Sequence, residues 1–115
     1  MNSFDHQRLE VGRAGLKALV LGEAMARELP RGYAGLGDQL RRALSGAYLQ
    51  TTEGIVRRGR DRAMRLRVAR AEANEAAAAV DALKALGLAI ESASEELLVL
   101  LDSICRMLSG LERRS

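Results

Sequence analysis

The stretch LRVARAEANEAAAAVDAL, residues 66–83, decides the fold. Its apolar positions alternate steps of three and four residues, the spacing that places side chains on one face of a helix. These positions are Leu66, Ala69, Ala73, Ala76, Val80 and Leu83. Several of them are alanines, and small side chains let neighbouring helices approach closely. The stretch therefore predicts a long helix that packs tightly among other helices.

The composition of the whole chain favours helices over strands. Its 115 residues include one proline, no tryptophan and only 3% aromatic residues. Aromatic residues are among those that strands prefer, whereas alanine and leucine are good helix formers. A chain of this length corresponds to one domain. We therefore expect a single all-α domain over residues 1–115.

Periodicity and helix-breaking residues divide the chain into four predicted helices, at about 5–29, 35–56, 60–86 and 92–113. Ser92 is the predicted capping residue of the fourth helix, in a capping box with Glu95. Because the connections are short, consecutive helices should be antiparallel neighbours. The predicted fold is an antiparallel up-down-up-down four-helix bundle.

Each of the other helices also has a predicted apolar face. In the first helix this face consists of Leu9, Leu16, Val20 and Leu29. In the second it consists of Leu36, Leu40, Leu44, Ala47, Thr51 and Ile55. In the fourth it consists of Leu97, Leu101, Ile104, Leu108 and Leu111. We expect these faces to form the core of the bundle.

Positive charge is concentrated in the middle of the chain. Residues 41–70 contain nine basic and two acidic side chains, a local net charge of +7, whereas residues 71–115 have a net charge of −4. The turn between the second and third helices should gather most of these arginines at one end of the bundle. A guanidinium group matches the geometry of phosphate, so this end is a candidate site for the nucleic-acid backbone. The candidate residues are Arg57, Arg58, Arg60, Arg62, Arg65 and Arg67.

A solvated turn that improves solubility is the alternative explanation of this charge. No aromatic residues are interleaved with the arginines, so the sequence gives no sign of base stacking. The prediction is therefore binding to the RNA or DNA backbone without strong sequence preference.

Other charged residues of the second and third helices are predicted to be structural. If the hairpin is antiparallel about residue 58, Arg41 lies opposite Glu75, with Glu72 one turn away. Arg41 and Arg42 should then form ion pairs with these glutamates. Glu53 is expected to meet Arg60 or Arg62. Such pairs fix the register of a hairpin more than they stabilise it.

More apolar surface is present than one bundle needs. Leu98, Val99 and Leu100 lie beside the predicted core face of the fourth helix, and the third helix carries alanines on several faces. Apolar residues outside one stripe indicate a second packing partner. We expect a homo-oligomer, and a structural scaffold that binds other proteins without binding nucleic acid is the alternative function.

The sequence gives little support to catalysis. His6 is the only histidine, and no set of cysteines and histidines has the spacing of a metal site. Cys105 is the only cysteine and lies in an apolar helical run, which predicts an inert buried thiol. We expect a protein that is not an enzyme and has no cofactor. No apolar run approaches the ~20 residues of a membrane helix, so a cytoplasmic location is expected.

Five segments resemble one family of small bacterial proteins. They are GDQLRRA (37–43), TTEG (51–54), VARAEANEA (68–76), LKALGL (83–88) and DSICRMLSGL (102–111). The chain resembles, from about Leu16 onward, the four-helix-bundle proteins encoded in intervening sequences of 23S rRNA genes. These proteins are related to Avd, the accessory variability determinant of diversity-generating retroelements. The chain departs from the family pattern in the second helix, where it has Tyr48 and Gln50 in place of a proline and an asparagine.

The resemblance implies an assembly and partners that the residues alone do not predict. It implies a homopentameric ring of four-helix bundles. For the accessory relatives it also implies binding to nucleic acid and to a reverse transcriptase.

Overall fold

The computed structural model describes residues 4–115, and all regular secondary structure there is α-helical. A one-turn helix, α1 (Asp5–Arg8), precedes four long ones: α2 (Glu10–Arg27), α3 (Ala34–Ile55), α4 (Gly59–Ala85) and α5 (Glu91–Arg113). Consecutive long helices pack against each other, and α2 also contacts α5. The protein is thus an all-α bundle of four long helices packed in sequential order, 43 Å in its longest extent. Residues 1–3 of the predicted domain lie outside the described part.

The stretch of residues 66–83 forms the centre of the bundle. All six predicted positions of α4 are 0% exposed: Leu66, Ala69, Ala73, Ala76, Val80 and Leu83. The predicted faces of α3 and α5 are also confirmed in the main, because Leu40 and Leu97 are completely buried and most of their partners nearly so. Three helix faces could therefore be identified from the spacing of apolar residues alone.

The predicted apolar face of the first helix is wrong at Leu9, Leu16 and Val20, whereas Leu29, beyond the end of α2, packs against the core. Leu16 and Val20 are 50% and 62% exposed, and they lie on the outer side of the helix. The buried face of α2 consists instead of Val11, Gly12, Ala18, Gly22, Met25 and Ala26. The helix thus has two apolar faces, and the bundle covers the one with the smaller residues.

Close approach to neighbouring segments explains why glycines lie on the buried face of α2. A methyl group added at Gly22 would overlap Leu44 of α3. A methyl group added at Gly12 would overlap the main-chain carbonyl of His6, because α1 folds back over the first turn of α2. The chain is extended at Leu9 between the two helices. Glycine therefore sets the distance at which α1 and α3 pack on α2.

The helix ends lie close to the predicted bounds, except that the predicted first helix, 5–29, is interrupted at Leu9 and ends at Arg27. Gly87, with φ of 69°, follows α4, and the amide of Leu88 donates to the carbonyl of Leu83 at 2.9 Å, which is a Schellman motif. At the start of α5 the predicted capping box is absent. The capping residue is Ile90, which makes no side-chain cap, and Ser94 donates its hydroxyl to the carbonyl of Ile90 at 3.0 Å.

Candidate nucleic-acid interface

One end of the bundle brings together segments that are far apart in sequence. The turn between α3 and α4 lies at this end. The last turn of α5 joins it, because Arg67 of α4 contacts Glu112 of α5. The start of α2 joins it too, because Leu9 and Arg62 line the same cavity of about 190 Å³. We call this part of the molecule the arginine end, after the predicted residues Arg57, Arg58, Arg60, Arg62, Arg65 and Arg67.

The charge of the molecule is divided along its long axis. The half that carries the arginine end consists of residues 4–19, 45–74 and 105–115. It contains 13 basic and 6 acidic side chains, a net charge of +7. The opposite half consists of residues 20–44 and 75–104, and its 5 basic and 9 acidic side chains give −4. The fold therefore turns an uneven sequence into a bundle with one positive and one negative half.

Arg57 is held in a local network of ion pairs. It donates from Nη2 to Glu53 Oε2 at 3.0 Å and from Nη1 to Asp61 Oδ2 at 2.8 Å. The hydrogen bonds to Asp61 and then to Glu53 raise the pKa of the Arg57 guanidinium. The expected pairing of Glu53 with Arg60 or Arg62 is wrong, because Glu53 pairs with Arg57, which lies one helical turn further along the chain. Arg57 is thus paired with two carboxylates, of which Asp61 also contacts Arg65.

Arg67 and Arg70 are directed towards α5. Arg67 Nε donates to Glu112 Oε1 at 3.1 Å, and Arg70 Nη2 lies 3.0 Å from Glu112 Oε2. Arg70 also donates to the hydroxyl of Ser109 at 2.9 Å. The Glu112 side chain is mostly buried between the two arginines. These contacts fix the register of α4 against α5. The Glu112 carboxylate also partly neutralises the charge of both arginines.

The inner parts of the Arg62 and Arg65 side chains are buried, as far as Nε. The Nε atoms of both side chains are buried and have no hydrogen-bond partner within the described residues. Arg65 Nε lies 3.6 Å from Asp61 Oδ1, so its contact with that carboxylate is an ion pair without a hydrogen bond. Packing, rather than a hydrogen bond from Nε, therefore holds the inner part of each side chain.

Four arginines of this end are exposed and have no ion pair with any carboxylate described in residues 4–115. Arg58 and Arg60 flank the first residue of α4. Arg113 and Arg114 lie at the end of α5. These last two were not among the predicted residues, although the predicted antiparallel topology already places the end of the fourth helix beside the α3–α4 turn. Four exposed guanidinium groups, two from this turn and two from the end of α5, therefore lie at the arginine end.

The predicted structural ion pairs form differently. Arg41 pairs with Glu23 of α2 and with Asp38 rather than with Glu75. The hydrogen bond between Arg41 and Glu23 raises the pKa of the guanidinium and lowers that of the carboxyl. The reason for the error is that Arg41 lies on the side of α3 that faces α2.

Arg42 lies near the two predicted glutamates of α4. It lines an open groove of about 350 Å³ between α3 and α4, together with Glu72 and Glu75. No ion pair joins Arg42 to either glutamate among the side chains described. Burial first, and the neighbouring Glu75 second, raise the pKa of Glu72. This groove is thus a carboxyl-containing surface near the boundary between the two halves.

Aromatic rings lie beside the arginine end, although none is interleaved with the arginines in sequence. The rings of Phe4 and His6 are stacked, with centroids 6.1 Å apart and an interplanar angle of 19°. The ring of Tyr48 on α3 meets His6 edge-on at 6.2 Å. The folding back of α1 places Asp5, between Phe4 and His6 in sequence, at the same cavity as Arg62.

Features of other site classes are few in the part of the chain that the structure describes. Residues 4–115 contain no group of three or more histidine, cysteine, aspartate or glutamate side chains arranged to hold a metal ion. Cys105 is half-buried, and burial raises the pKa of its thiol, which disfavours the reactive thiolate. None of the described helices is both long and apolar enough to cross a membrane.

No family model and no curated protein matches this chain. The resemblance to the intervening-sequence proteins rests on the five quoted segments and stays a prediction. The bundle of four long helices is the part of that expectation that the fold supports.

Proposed function

We propose that the protein binds the phosphate backbone of nucleic acid through its arginine end, without catalysing a reaction. One observation carries the proposal: the half of the bundle with a net charge of +7 presents four exposed arginines that have no carboxylate partner within the described residues. They are Arg58, Arg60, Arg113 and Arg114. A guanidinium group donates in a planar fork that matches phosphate oxygens.

Arginines that are already paired with carboxylates add further positive charge to this end. Arg57, Arg67 and Arg70 are positioned by Glu53, Asp61 and Glu112 and hold their guanidinium groups at the surface. Backbone contacts of this kind fix a polyanion in place without reading its sequence. Binding by the four unpaired arginines should make log K fall with log salt with a slope of about −3 to −4.

A salt series with matched variants tests the proposal. We expect a labelled mixed-sequence oligonucleotide to bind the parent protein, as measured by fluorescence anisotropy, and to be released between about 50 and 200 mM salt. The double variant Arg58→Gln/Arg60→Gln should bind more weakly and reduce the slope by about 1.5 to 2. The control Arg27→Gln/Arg31→Gln removes the same charge from exposed positions at the opposite end.

Two results would contradict the proposal. One is binding that is unchanged by salt. The other is an equal loss of affinity in the Arg58/Arg60 variant and in the Arg27/Arg31 control, because the location of the charge would then be irrelevant.

A second candidate function is supported by the uncovered face of α2. Leu16 and Val20 point to solvent, and the exposed Leu49 of α3 follows Tyr48, which contacts Gly15. Uncovered apolar side chains of this kind are typical of a protein–protein interface. We infer that the protein forms a homo-oligomer or scaffold through this face. The pentamer and the reverse transcriptase partner rest on the resemblance alone.

Light scattering tests the second candidate. We expect the parent to have the mass of more than one chain and Leu16→Gln/Val20→Gln to have that of a single chain. Ile90→Gln, which changes an exposed apolar residue at the other end of the bundle, is the control. A parent protein that is monomeric at micromolar concentration would exclude self-association through this face.

A further inference from the structure

We propose that the ligand of the arginine end is single-stranded nucleic acid and that one of its bases stacks on Phe4. The inference rests on the proposed function, because the arginines hold the phosphates that bring the base into place. It adds a binding residue, Phe4, that is 50 or more residues away in sequence from the arginines of the α3–α4 turn.

The first support is the state of the Phe4 ring. Phe4 is 71% exposed, although it is one of only three residues of the Phe, Trp and Tyr class in the chain. One side of the ring stacks on His6, which in turn meets Tyr48 edge-on. The three rings form a column that ends at α3. His6 therefore supports the Phe4 ring, and most of the Phe4 side chain is exposed to solvent.

The second support is the position of this column. His6 lies against the backbone of Gly12, and Asp5 shares a cavity with Ile55 and Arg62. The exposed ring is thus next to the positive half of the bundle, where phosphates would be held. The other exposed aromatic residue, Tyr33, lies in the connection before α3, at the opposite end.

The chemistry of the pair indicates the class of ligand. Single-stranded nucleic acids bind where a basic surface follows the backbone and an aromatic ring stacks on a base. In a duplex the bases are stacked on one another and are not available to such a ring. Every base has a flat aromatic face, so this stacking adds affinity without demanding a sequence. Both RNA and DNA single strands supply this combination of base and phosphate.

A fluorescence experiment tests the stacking directly. The chain has no tryptophan, so Phe4→Trp introduces a single tryptophan, whose fluorescence can be excited separately from that of the two tyrosines. We expect single-stranded RNA or DNA of mixed sequence to quench this tryptophan on binding. Inorganic polyphosphate, which has the charge without the bases, should bind without quenching. Tyr33→Trp is the control, because its reporter at the opposite end should not respond to any of the ligands.

Affinity measurements complete the test. Phe4→Ala should weaken single-strand binding by about fivefold or more and leave polyphosphate binding unchanged, whereas Phe4→Tyr should retain the affinity of the parent. Comparing RNA and DNA arms shows which sugar is preferred. Duplex of the same sequence should bind no better than polyphosphate of equal charge.

The outcomes separate the two proposals. Salt-sensitive binding with no tryptophan quenching, with an unchanged Phe4→Ala affinity, or with duplex binding as tight as single-strand binding, overturns the stacking and leaves backbone binding intact. Absence of binding to every polyanion overturns both. Quenching by single strands together with a selective loss in Phe4→Ala supports the inference.

Discussion

The contact between Gly46 and Glu72 shows how one residue sets the ionisation of another. The space of a missing side chain at Gly46 is occupied by the Glu72 carboxylate, and an added Cβ would lie 2.8 Å from Oε2. The carboxyl is therefore pressed against α3 and partly removed from water. Burial and the nearby Glu75 raise its pKa above 4.5, the usual value. A raised pKa in the folded state means that the ionised form of Glu72 destabilises the fold.

The first prediction concerns this carboxyl. Because the fold disfavours the ionised form of Glu72, Glu72→Gln should raise the melting temperature at pH 7. At pH 3, below the usual pKa of 4.5, the parent side chain is protonated and the difference should vanish. Thermal denaturation at the two pH values measures this, with the exposed Glu96→Gln as control. A stabilisation that is the same at both pH values would show that the charge of Glu72 is not its cause.

At the scale of elements, the four long helices differ in how well their spacing predicts their packing. The faces of α3, α4 and α5 follow the periodicity because leucine, isoleucine and alanine fill the core there. The face of α2 does not, because Gly12 and Gly22 mark the positions of closest approach and contribute no apolar side chain to a pattern. Leu16 and Val20 give the stronger signal and lie outside. Hydrophobic periodicity identifies apolar faces, but it cannot tell which of two faces is covered.

The second prediction uses the alanines of α4. Ala73 is 0% exposed at the centre of the bundle, so Ala73→Leu should force neighbouring helices apart and destabilise the fold by about 1–3 kcal/mol. Ala78→Leu, on the exposed side of the same helix, should change stability by less than about 0.5 kcal/mol. Urea denaturation measures both. Equal effects of the two substitutions would contradict close packing at Ala73.

At the scale of the whole molecule, the sequence predicts the arginine end only in part. The run from Arg57 to Arg67 is visible in the chain and was placed at a helix turn. Arg113 and Arg114 join it because the antiparallel topology, which the sequence predicts, brings the end of α5 to the α3–α4 turn, where Glu112 contacts α4. Phe4 joins it only because α1 folds back over the first turn of α2. No local pattern in the sequence predicts that fold-back.

The third prediction tests the contribution of α5 to this end. Arg113→Gln/Arg114→Gln should weaken nucleic-acid binding about tenfold at 0.1 M salt, comparable with the loss in Arg58→Gln/Arg60→Gln. The physical reason is that the fold brings both pairs to one positive surface. Anisotropy titrations at equal salt compare them. If the α5 variant binds as tightly as the parent, the interface is restricted to the α3–α4 turn.

The division of charge has a geometric consequence for any long polyanion. The positive half is attracted to the polymer and the negative half is repelled by it, so each bundle should stand upright with its 43 Å axis directed away from the strand. A second strand approaching the outer tip would meet a net charge of −4. Single bundles should therefore bind along one strand without cross-linking two strands.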